Sequence, residues 1–504
     1  MRLIVLGCLV GIALVPRAIS AQAPHVDPRA AAITHVTVID VATGARLRDR
    51  TVVVRGNRIA AMGRSARARV PRDARVVDGR GKYLIPGLWD MHVHALRAGR
   101  APWMFPLFIA AGVTGIRDTG SPLDTLLLYR AKVRSGEMLG PRIVGTGPLL
   151  DGPRGQWSTF TIPVESPTTG RRAVDSLADA RVDFIKVYSG LSRDAFLAIA
   201  DEAKRRGVPV IGHVPESVTA LEASQAGMKS IEHLTQVPLA CVPDSVGRAL
   251  AREMTDRAAR PGMTQDSIQA LQLEVIGRAA SAFSEALCEQ LGARFARNGT
   301  WQVPTHERLQ HWSRSFLASD TAGRDTLLRY VPPKVRAIWK HYQDSIIALG
   351  PLNDVFPNWY PLASRVIRAL HRGGDGILAG TDTDGNDANI YGVPGFSLHR
   401  ELEALVRDVG LTTLEALRAA TLGPAYFLNA TDSLGTVAPG KVADLVLLDA
   451  DPLADVHNTQ RIHAVIANGR LLDRAALDAL LAEAERGREK PLPPTRSSIS
   501  PLPR

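Results

Sequence analysis

Two histidines, His92 and His94, stand one residue apart at the end of an apolar run that begins at Tyr83. Side chains alternate between the two faces of a strand, so both imidazoles would project from one face. Two imidazole nitrogens placed close together form half of a divalent metal site. The spacing alone is weakly specific, because most such pairs are ordinary histidines. Metal-assisted chemistry therefore needs further ligands elsewhere in the chain.

Four further polar residues end, or nearly end, short apolar runs downstream of this pair. They are Lys186, His213, His233 and Asp382. In a parallel α/β barrel the carboxyl ends of the strands meet on one face, and the chemistry is placed there. Each residue also has a plain structural interpretation, which is a strand-end lysine reaching solvent, a loop histidine, a surface Glu–His pair and a helix cap, respectively. Their common position at strand ends favours a shared site.

The order of these motifs along the chain resembles that of the amidohydrolase superfamily. The branch it resembles most is the imidazolonepropionase-like metal-dependent hydrolases, which include dipeptidases of prolidase type. The resemblance covers roughly residues 32 to 472. The motifs that carry it are His92-Val93-His94, Ile185-Lys186, Gly212-His213, Glu232-His233 and Gly380-Thr381-Asp382.

This resemblance implies a (β/α)8 barrel that holds two divalent metal ions, with zinc as the expected element. Two close cations repel each other, so an anion must bridge them, and the family uses a lysine carboxylated by carbon dioxide on the fourth strand. Lys186 matches that position and favours the binuclear, dipeptidase-like branch, because imidazolonepropionases proper lack this lysine. The implied ligands of the first ion are His92, His94, carboxylated Lys186 and Asp382, and those of the second are Lys186, His213 and His233.

Asp382 has a second implied role as the catalytic residue. A hydroxide that bridges the two ions would attack the carbonyl carbon, and Asp382 would accept the proton of the attacking water and pass it to the leaving amine. Tyr188 lies two residues beyond Lys186 on the same face of its strand. There it would hydrogen-bond a substrate carboxylate or an oxyanion. A packed core tyrosine fits the same position equally well.

Short apolar runs alternate with amphipathic helices from residue 86 to about 430, which is the βα pattern of a barrel. Strand-rich segments flank this region at residues 32–85 and 431–472. Neither segment can bury a sheet alone, so we expect them to pair into one small β-sandwich. Residues 473–504 are predicted to form a C-terminal helix and a proline-rich tail.

Two helical excursions, 238–300 and 307–372, are far longer than an ordinary barrel loop. They are predicted to be either structural additions or a lid over the substrate. The second is rich in Trp and Tyr, and arginines in it could meet a free carboxylate bidentately. These arginines are Arg308, Arg314 and Arg365. We therefore expect dipeptides or N-acyl amino acids with a free C-terminal carboxylate to be cleaved.

The composition is that of a globular protein, with 504 residues of which 45% are apolar and 22% charged. The net charge of +11 includes no dense basic run, so we expect no nucleic-acid partner. Residues 1–21 have a basic start, a short apolar core and small residues, which predicts a secretory signal peptide and a secreted or periplasmic protein without a membrane span. After export, Cys241 and Cys288 would either form a disulfide or remain two buried thiols.

The combined prediction is an exported metal-dependent hydrolase that cleaves a carbon–nitrogen bond of a small amide or dipeptide, and that forms a homo-oligomer. The alternative enzyme hydrolyses cyclic amides, lactones or esters on the same site, because barrel sites change their chemistry through their loops. The alternative outside enzymes is a metal-free binding protein on a decayed barrel. The presence of every expected ligand argues against that alternative.

Overall fold

The structure is a computed structural model that describes residues 30–153, 155, 159–258, 260–263, 265–312, 324–348, 355–386 and 388–487. The predicted signal peptide (residues 1–21), Arg314 and the proline-rich end of the tail lie outside the described residues. Within the described part of the chain, no helix is long and apolar enough to cross a membrane.

The strands fall into three sheets. In chain order they are β1 (Ala31–Asp40), β2 (Ala45–Arg55), β3 (Arg58–Arg64), β4 (Arg75–Asp78), β5 (Tyr83–Pro86), β6 (Leu88–Val93), β7 (Val113–Asp118), β8 (Arg142–Gly145), β9 (Leu149–Asp151), β10 (Thr161–Pro163), β11 (Ile185–Val187), β12 (Val210–Gly212), β13 (Met228–Glu232), β14 (Trp301–Val303), β15 (Gly376–Ile377), β16 (Leu445–Leu448), β17 (Ile462–Ala467) and β18 (Arg470–Leu472).

Helices follow most strands from β6 onward. They span Ala101–Ala110, Leu123–Ser135, Pro167–Asp179, Arg193–Arg206, Ala220–Gln225, Val237–Ala240, Asp244–Ala258, Gln265–Ser281, Glu285–Asn298, His306–His311, Pro333–Ala348, Val355–Arg372, Phe396–Ala404, Thr413–Ala419, Leu422–Phe427 and Arg474–Gly487. The chain therefore has the α/β character that the alternating pattern predicted.

The terminal sheet unites both ends of the described chain. It has eight strands in the order β18-β17-β16-β5-β1-β2-β3, with β4 paired to β1. The pairing of β16 with β5 is antiparallel and joins the two terminal segments. Buried side chains from both segments, among them Val38, Leu84, Leu445 and Ile466, share one apolar cluster. Each segment thus supplies apolar surface that the other covers.

Two parallel sheets carry the predicted site residues. One has the order β6-β7-β8, and the other β10-β9-β11-β12-β13-β14-β15. Backbone hydrogen bonds connect them on both sides, from Asp183 N to Gly145 O at 2.9 Å and from Met91 N to Ala379 O at 2.9 Å. Because the strands are parallel, their carboxyl ends, with the site residues, face the same side.

The sequence suggested that the apolar run from Tyr83 to Leu88 forms one strand, but the structure divides it. It divides at Gly87 into β5 of the terminal sheet and β6 of a parallel sheet. Gly87 N donates to Asp444 O at 2.7 Å, and a Cβ atom at Gly87 would lie only 1.9 Å from Thr114 Oγ1. The chain therefore changes sheets at a residue that must lack a side chain.

The first excursion contains a pair of helices with an apolar cluster of their own. Asp244–Ala258 and Gln265–Ser281 bury Leu250, Met254, Leu271 and Val275 between them. A disulfide joins Cys241 and Cys288 at the base of this helix pair, with the two Cα atoms 4.4 Å apart. Of the two states open for these cysteines, the structure shows the paired one.

The second excursion packs against the loop that follows Asp382. Trp339, on the helix Pro333–Ala348, is fully buried and donates from its indole nitrogen to Asn386 O. Tyr391, at the far end of the same loop, donates from its hydroxyl to Gln343 at 2.6 Å. The excursion thereby fixes the loop next to the predicted catalytic residue.

Candidate metal centre

Asp382 lies at the centre of the site, beyond the last parallel strand, β15. Its Oδ1 atom is 3.3 Å from His92 Nε2 and 3.2 Å from His94 Nε2. Its Oδ2 atom is 3.7 Å from His233 Nε2. The first three of these side chains are buried, and His233 is largely so. Four predicted ligands from distant parts of the chain therefore meet around one carboxylate.

A hydrogen bond at the far nitrogen orients each of these three imidazoles. His92 Nδ1 lies 2.6 Å from Glu232 Oε2, and His94 Nδ1 lies 3.1 Å from Gly120 O. His233 Nδ1 lies 2.7 Å from Thr305 Oγ1, whose own proton goes to Pro304 O. Each acceptor holds the imidazole proton on Nδ1. The Nε2 lone pairs are therefore directed at the centre, as metal-binding histidines require.

A buried ion pair supports His92 from behind. Arg117 on β7 donates from Nη2 to both oxygens of Glu232 at 3.0 Å and from Nη1 to Ser230 Oγ at 2.9 Å. Both charged side chains are fully buried. Burial alone would raise the pKa of Glu232, but the charges of Arg117 and His92 outweigh it and lower that pKa well below its ordinary range. Glu232 therefore stays an anion that holds the proton of His92.

His213 joins the group through ring contacts. Its ring centroid lies 5.1 Å from that of His233, and its Nδ1 hydrogen-bonds to Ser189 Oγ at 3.1 Å. Tyr188 stacks on the other side of the imidazole, with the two centroids 4.0 Å apart and the planes 24° apart. The structure thus places Tyr188 against a predicted ligand.

Lys186 is buried in the middle of β11, with 1% of its surface exposed. Burial lowers the pKa of its amine to about 8, against the charges of Glu232 and Asp382, which favour the ammonium form. Gly212 on the adjacent β12 leaves space for this side chain, because a Cβ atom there would lie 3.0 Å from Lys186 Cδ and 2.2 Å from Val187 O.

Electrostatics favour a carboxylate among neutral imidazoles. Burial lowers the pKa values of His94, His213 and His233 well below the ordinary value of histidine. Burial alone would raise the pKa of Asp382, but the electrostatic effect of His233 and His92 outweighs it and lowers that pKa well below its ordinary value. Neutral imidazole and ionised carboxylate are the forms that bind divalent metals.

The donor atoms fit a metal ion. Buried atoms His92 Nε2 and Asp382 Oδ1 have no hydrogen-bond partner among the described residues. One ligand atom each of His92, His94 and Asp382 lies within 4.8 Å of the other two. Two ligands of a tetrahedral zinc ion, each bonded at about 2.1 Å, lie about 3.4 Å apart. The separations of 3.2 and 3.3 Å found here match that value.

Strained backbone accompanies the site. His233, Thr305 and Asp382 have φ angles of 57°, 49° and 58°, a region that costs a non-glycine residue about 1–3 kcal/mol. Asp382 N donates to His92 O at 2.7 Å and His233 N to Val303 O at 3.0 Å. These hydrogen bonds hold the two ligands in conformations that local sequence does not favour.

The three arginines predicted to meet a carboxylate lie in different parts of the chain's structure. Arg308 Nε lies 2.9 Å from Asp382 Oδ2, so this residue is at the centre. Arg365 is 45% exposed, lies 3.8 Å from Glu285 and packs over the ring of Phe283, and within the described part of the chain it makes no contact with the centre. Arg314 lies outside the described residues.

Sequence reasoning missed the residues that orient the ligands. Glu232 was visible beside His233, but its contacts with His92 and Arg117 span 140 and 115 residues. Arg117 carried a usable signal, since it is a charged residue that stands, like Lys186, near the end of a short strand-forming run, Val113–Asp118. Thr305 carried no comparable signal.

The comparison with known families identifies the class. The amidohydrolase family model matches residues 83–255 and 363–472, which is more than half of the chain. The chain therefore belongs to the amidohydrolase family, and it is a hydrolase that acts on carbon–nitrogen bonds. This confirms the family resemblance and the enzyme class that the motifs predicted.

Individual relatives refine this picture. An imidazolonepropionase of Streptomyces griseus subsp. griseus is 25% identical over 409 residues, which are 80% of this chain and 86% of the relative. Among solved structures, bottromycin amidohydrolase is similar with a TM-score of 0.70 and 26% identity, over 94% of each chain. A candidate prolidase from Bifidobacterium longum has a TM-score of 0.62 and 25% identity, over 91% of this chain and 99% of the relative.

Proposed function

We propose that the protein hydrolyses the amide bond of a small substrate, such as a dipeptide or an N-acyl amino acid, at a centre with two divalent metal ions, zinc being the expected element. The observation that carries this proposal is the convergence of three Nε2 atoms, from His92, His94 and His233, on the buried carboxylate of Asp382. Membership of the amidohydrolase family supports the use of these donor atoms in hydrolysing a carbon–nitrogen bond.

The proposed ligands divide into two groups. His92, His94, Lys186 and Asp382 would hold the first ion, and Lys186, His213 and His233 the second. When bound, the ions supply Lewis acidity to the carbonyl group and lower the pKa of water. A carboxylated Lys186 would provide the anion between two cations, and its buried position between the neighbouring strands β9 and β12 supports that role.

Asp382 is the proposed acid–base residue. Its Oδ1 atom faces His92 and His94, whereas Oδ2 faces His233 and Arg308. The carboxylate can take up the proton of the attacking water and deliver it to the leaving nitrogen, as one group must do when an amide is cleaved at neutral pH. Tyr188 is the proposed donor to a substrate oxygen, and its contact with His213 supports a place beside the second ion.

The proposed domain organisation is a barrel with a small β-sandwich beside it. The two parallel sheets would be arcs of one (β/α)8 barrel over residues 86–430, with the excursions 238–300 and 307–372, and the hydrogen bonds between the sheets support this. Residues 32–85 and 431–472 would form the β-sandwich, and residues 473–504 a terminal unit.

Export is also proposed, with residues 1–21 as the signal peptide. The disulfide between Cys241 and Cys288 supports a secreted or periplasmic protein, because disulfides persist in oxidising compartments. The proposed assembly is a homo-oligomer with a small-molecule substrate and no nucleic-acid partner.

The test combines metal analysis with a substrate panel. Protein purified without chelator should contain about two divalent ions per chain, and it should cleave dipeptides or N-acetyl amino acids in preference to lactones and esters. Full activity with near-zero metal would refute the metal centre. Preferred turnover of lactones or esters would favour the alternative hydrolase, and bound metal without turnover of any class would favour a binding protein.

A further inference from the structure

We infer that Arg308 recognises a free carboxylate on the leaving-group side of the substrate, so that the enzyme favours amides of α-amino acids with an unblocked C-terminus. This inference rests on the proposed function, because it assigns a specificity residue to the same site. Three observations carry the inference: the position of Arg308 beside Asp382, the Nη groups that it can offer to a ligand, and the buried hydrogen bonds around it.

The position of Arg308 is set by the turn that also orients His233. Thr305 accepts the proton of His233 Nδ1, and the helix His306–His311 begins at the next residue. Arg308 lies on this helix, with its Nε atom 2.9 Å from Asp382 Oδ2. One short segment therefore joins a proposed metal ligand, the proposed acid–base residue and a permanent positive charge.

The guanidinium group keeps hydrogen-bonding capacity for a ligand. Its Nε donates to Ala388 O and its Cζ atom lies 5.8 Å over the ring of Trp312, while no hydrogen bond joins either Nη atom to another described residue. The side chain is 21% exposed, whereas Arg117 is fully buried with Glu232 and Arg97 is 9% exposed beside Asp384. Two adjacent Nη groups present the parallel N–H pair that binds a carboxylate bidentately.

Buried side chains fix the helix segment that carries Arg308. Asn389 Nδ2 donates to Glu307 Oε2 at 2.9 Å and to Thr381 O at 2.7 Å. His311 contacts Glu307 and Asn389, at 3.2 and 2.9 Å. These bonds connect the residues on either side of Arg308 to the loop that carries its acceptor, Ala388. A group fixed in this way loses little conformational entropy when it binds.

The chemistry of cleavage decides which carboxylate Arg308 would bind. Asp382 delivers a proton to the leaving nitrogen, so that nitrogen must come close to the carboxylate of Asp382. In a dipeptide or N-acyl amino acid the free carboxyl group is attached to the carbon next to that nitrogen. Arg308 lies beside Asp382 and is therefore on the side of the leaving amino acid. A carboxylate on the acyl side would lie farther along the substrate.

The experiment compares acid and amide forms of one substrate in several variants. The pair is the fastest N-acetyl amino acid of the panel and its C-terminal amide. Arg308→Ala should lower the ratio of kcat/KM for the acid to that for the amide by about tenfold or more, since it removes a charge-assisted bidentate contact. Arg308→Lys keeps the positive charge but not the planar guanidinium group, so its acid-to-amide ratio should lie between those of the wild type and Arg308→Ala. Arg365→Ala is the matched control and should keep the wild-type ratio.

A binding measurement separates recognition from catalysis. Calorimetry should show that the wild-type protein binds the released amino acid at least about tenfold more tightly than its amide, and that Arg308→Ala loses this preference. An unchanged acid-to-amide preference in Arg308→Ala, in either kinetics or binding, would overturn the inference. Failure of the metal-loaded wild type to cleave any amide would instead overturn the proposed function.

Discussion

Glu232→Gln tests how the centre is oriented, because it changes charge with almost no change in shape. In the parent, Glu232 Oε1 accepts from Ser230 Oγ at 2.6 Å and from Arg117, while Oε2 lies 2.6 Å from His92 Nδ1. The glutamine oxygen must face Arg117 and Ser230, which only donate there. Its NH2 group then faces His92, and two N–H donors would oppose each other.

Glu232→Gln is expected to lower both the stability of the protein and its affinity for metal. Arg117 would remain as a fully buried cation without an anion, and breaking a buried pair by removal of one partner costs about 3–5 kcal/mol in the free energy of unfolding. His92 would also shift its proton to Nε2, the atom that faces Asp382, and could no longer ligate. Loss of such a supporting group weakens metal affinity about 10–100-fold.

Urea unfolding and chelator competition measure these two effects. Glu222→Gln is the matched control, because Glu222 pairs with Arg193 at 2.6 Å on the protein surface, where an ion pair contributes about 1 kcal/mol or less. If Glu232→Gln lost no more stability than the control and bound metal as tightly as the parent, the roles given to Arg117 and Glu232 would be wrong.

Three further predictions follow from other parts of the molecule. Lys186→Ala should lose bound metal and activity, and a short carboxylic acid should restore some of both; normal turnover without added acid would exclude the bridging role. Burial raises the pKa of Asp375 well above its ordinary value. Above about pH 4 the carboxyl group is therefore ionised in the unfolded chain and still protonated in the folded protein. As a result, the free energy of unfolding falls as pH rises toward the folded pKa, by up to about 1.4 kcal/mol per pH unit. Asp375→Asn removes this loss, and urea unfolding should show a stability gain over the parent that grows with pH; a gain independent of pH would contradict the assignment. Deletion of residues 434–472 should give insoluble protein, because β16 covers β5 and its side chains complete the apolar cluster of the terminal sheet; a soluble, active truncation would show that β5 does not need this partner.

Local sequence was sufficient to predict those features that depend only on residues close together in the chain. The helix Arg193–Arg206 begins and ends where its own residues specify, since Ser192 Oγ accepts from Ala195 N and Gly207 ends the helix with a φ angle of 70°. The pairing of His92 with His94 likewise followed from strand alternation. The motif order then predicted that His233 and Asp382 would join them, and the structure brings these four residues together.

Features that depend on distant contacts could not be predicted in this way. The run from Tyr83 to Leu88 is uniformly apolar, because both sheets are buried, so its pattern does not change where the chain passes from one sheet to the other. The support of His92 by Glu232 and Arg117 links three separate strands. The left-handed conformation of Asp382 is imposed by its hydrogen bond to His92 O, and nothing in the adjacent sequence specifies it.

The disulfide at the base of the first excursion marks the point at which the helix pair could be replaced. The Cα atoms of Cys241 and Cys288 are 4.4 Å apart, close to the spacing of about 3.8 Å between consecutive residues of any chain. The helix pair between them buries an apolar cluster of its own, and Ile276 and Ala280 also pack against the main core, so a replacement hairpin must supply apolar side chains at those two places. Such a graft would change the surface near the excursion and leave the proposed metal ligands in their places.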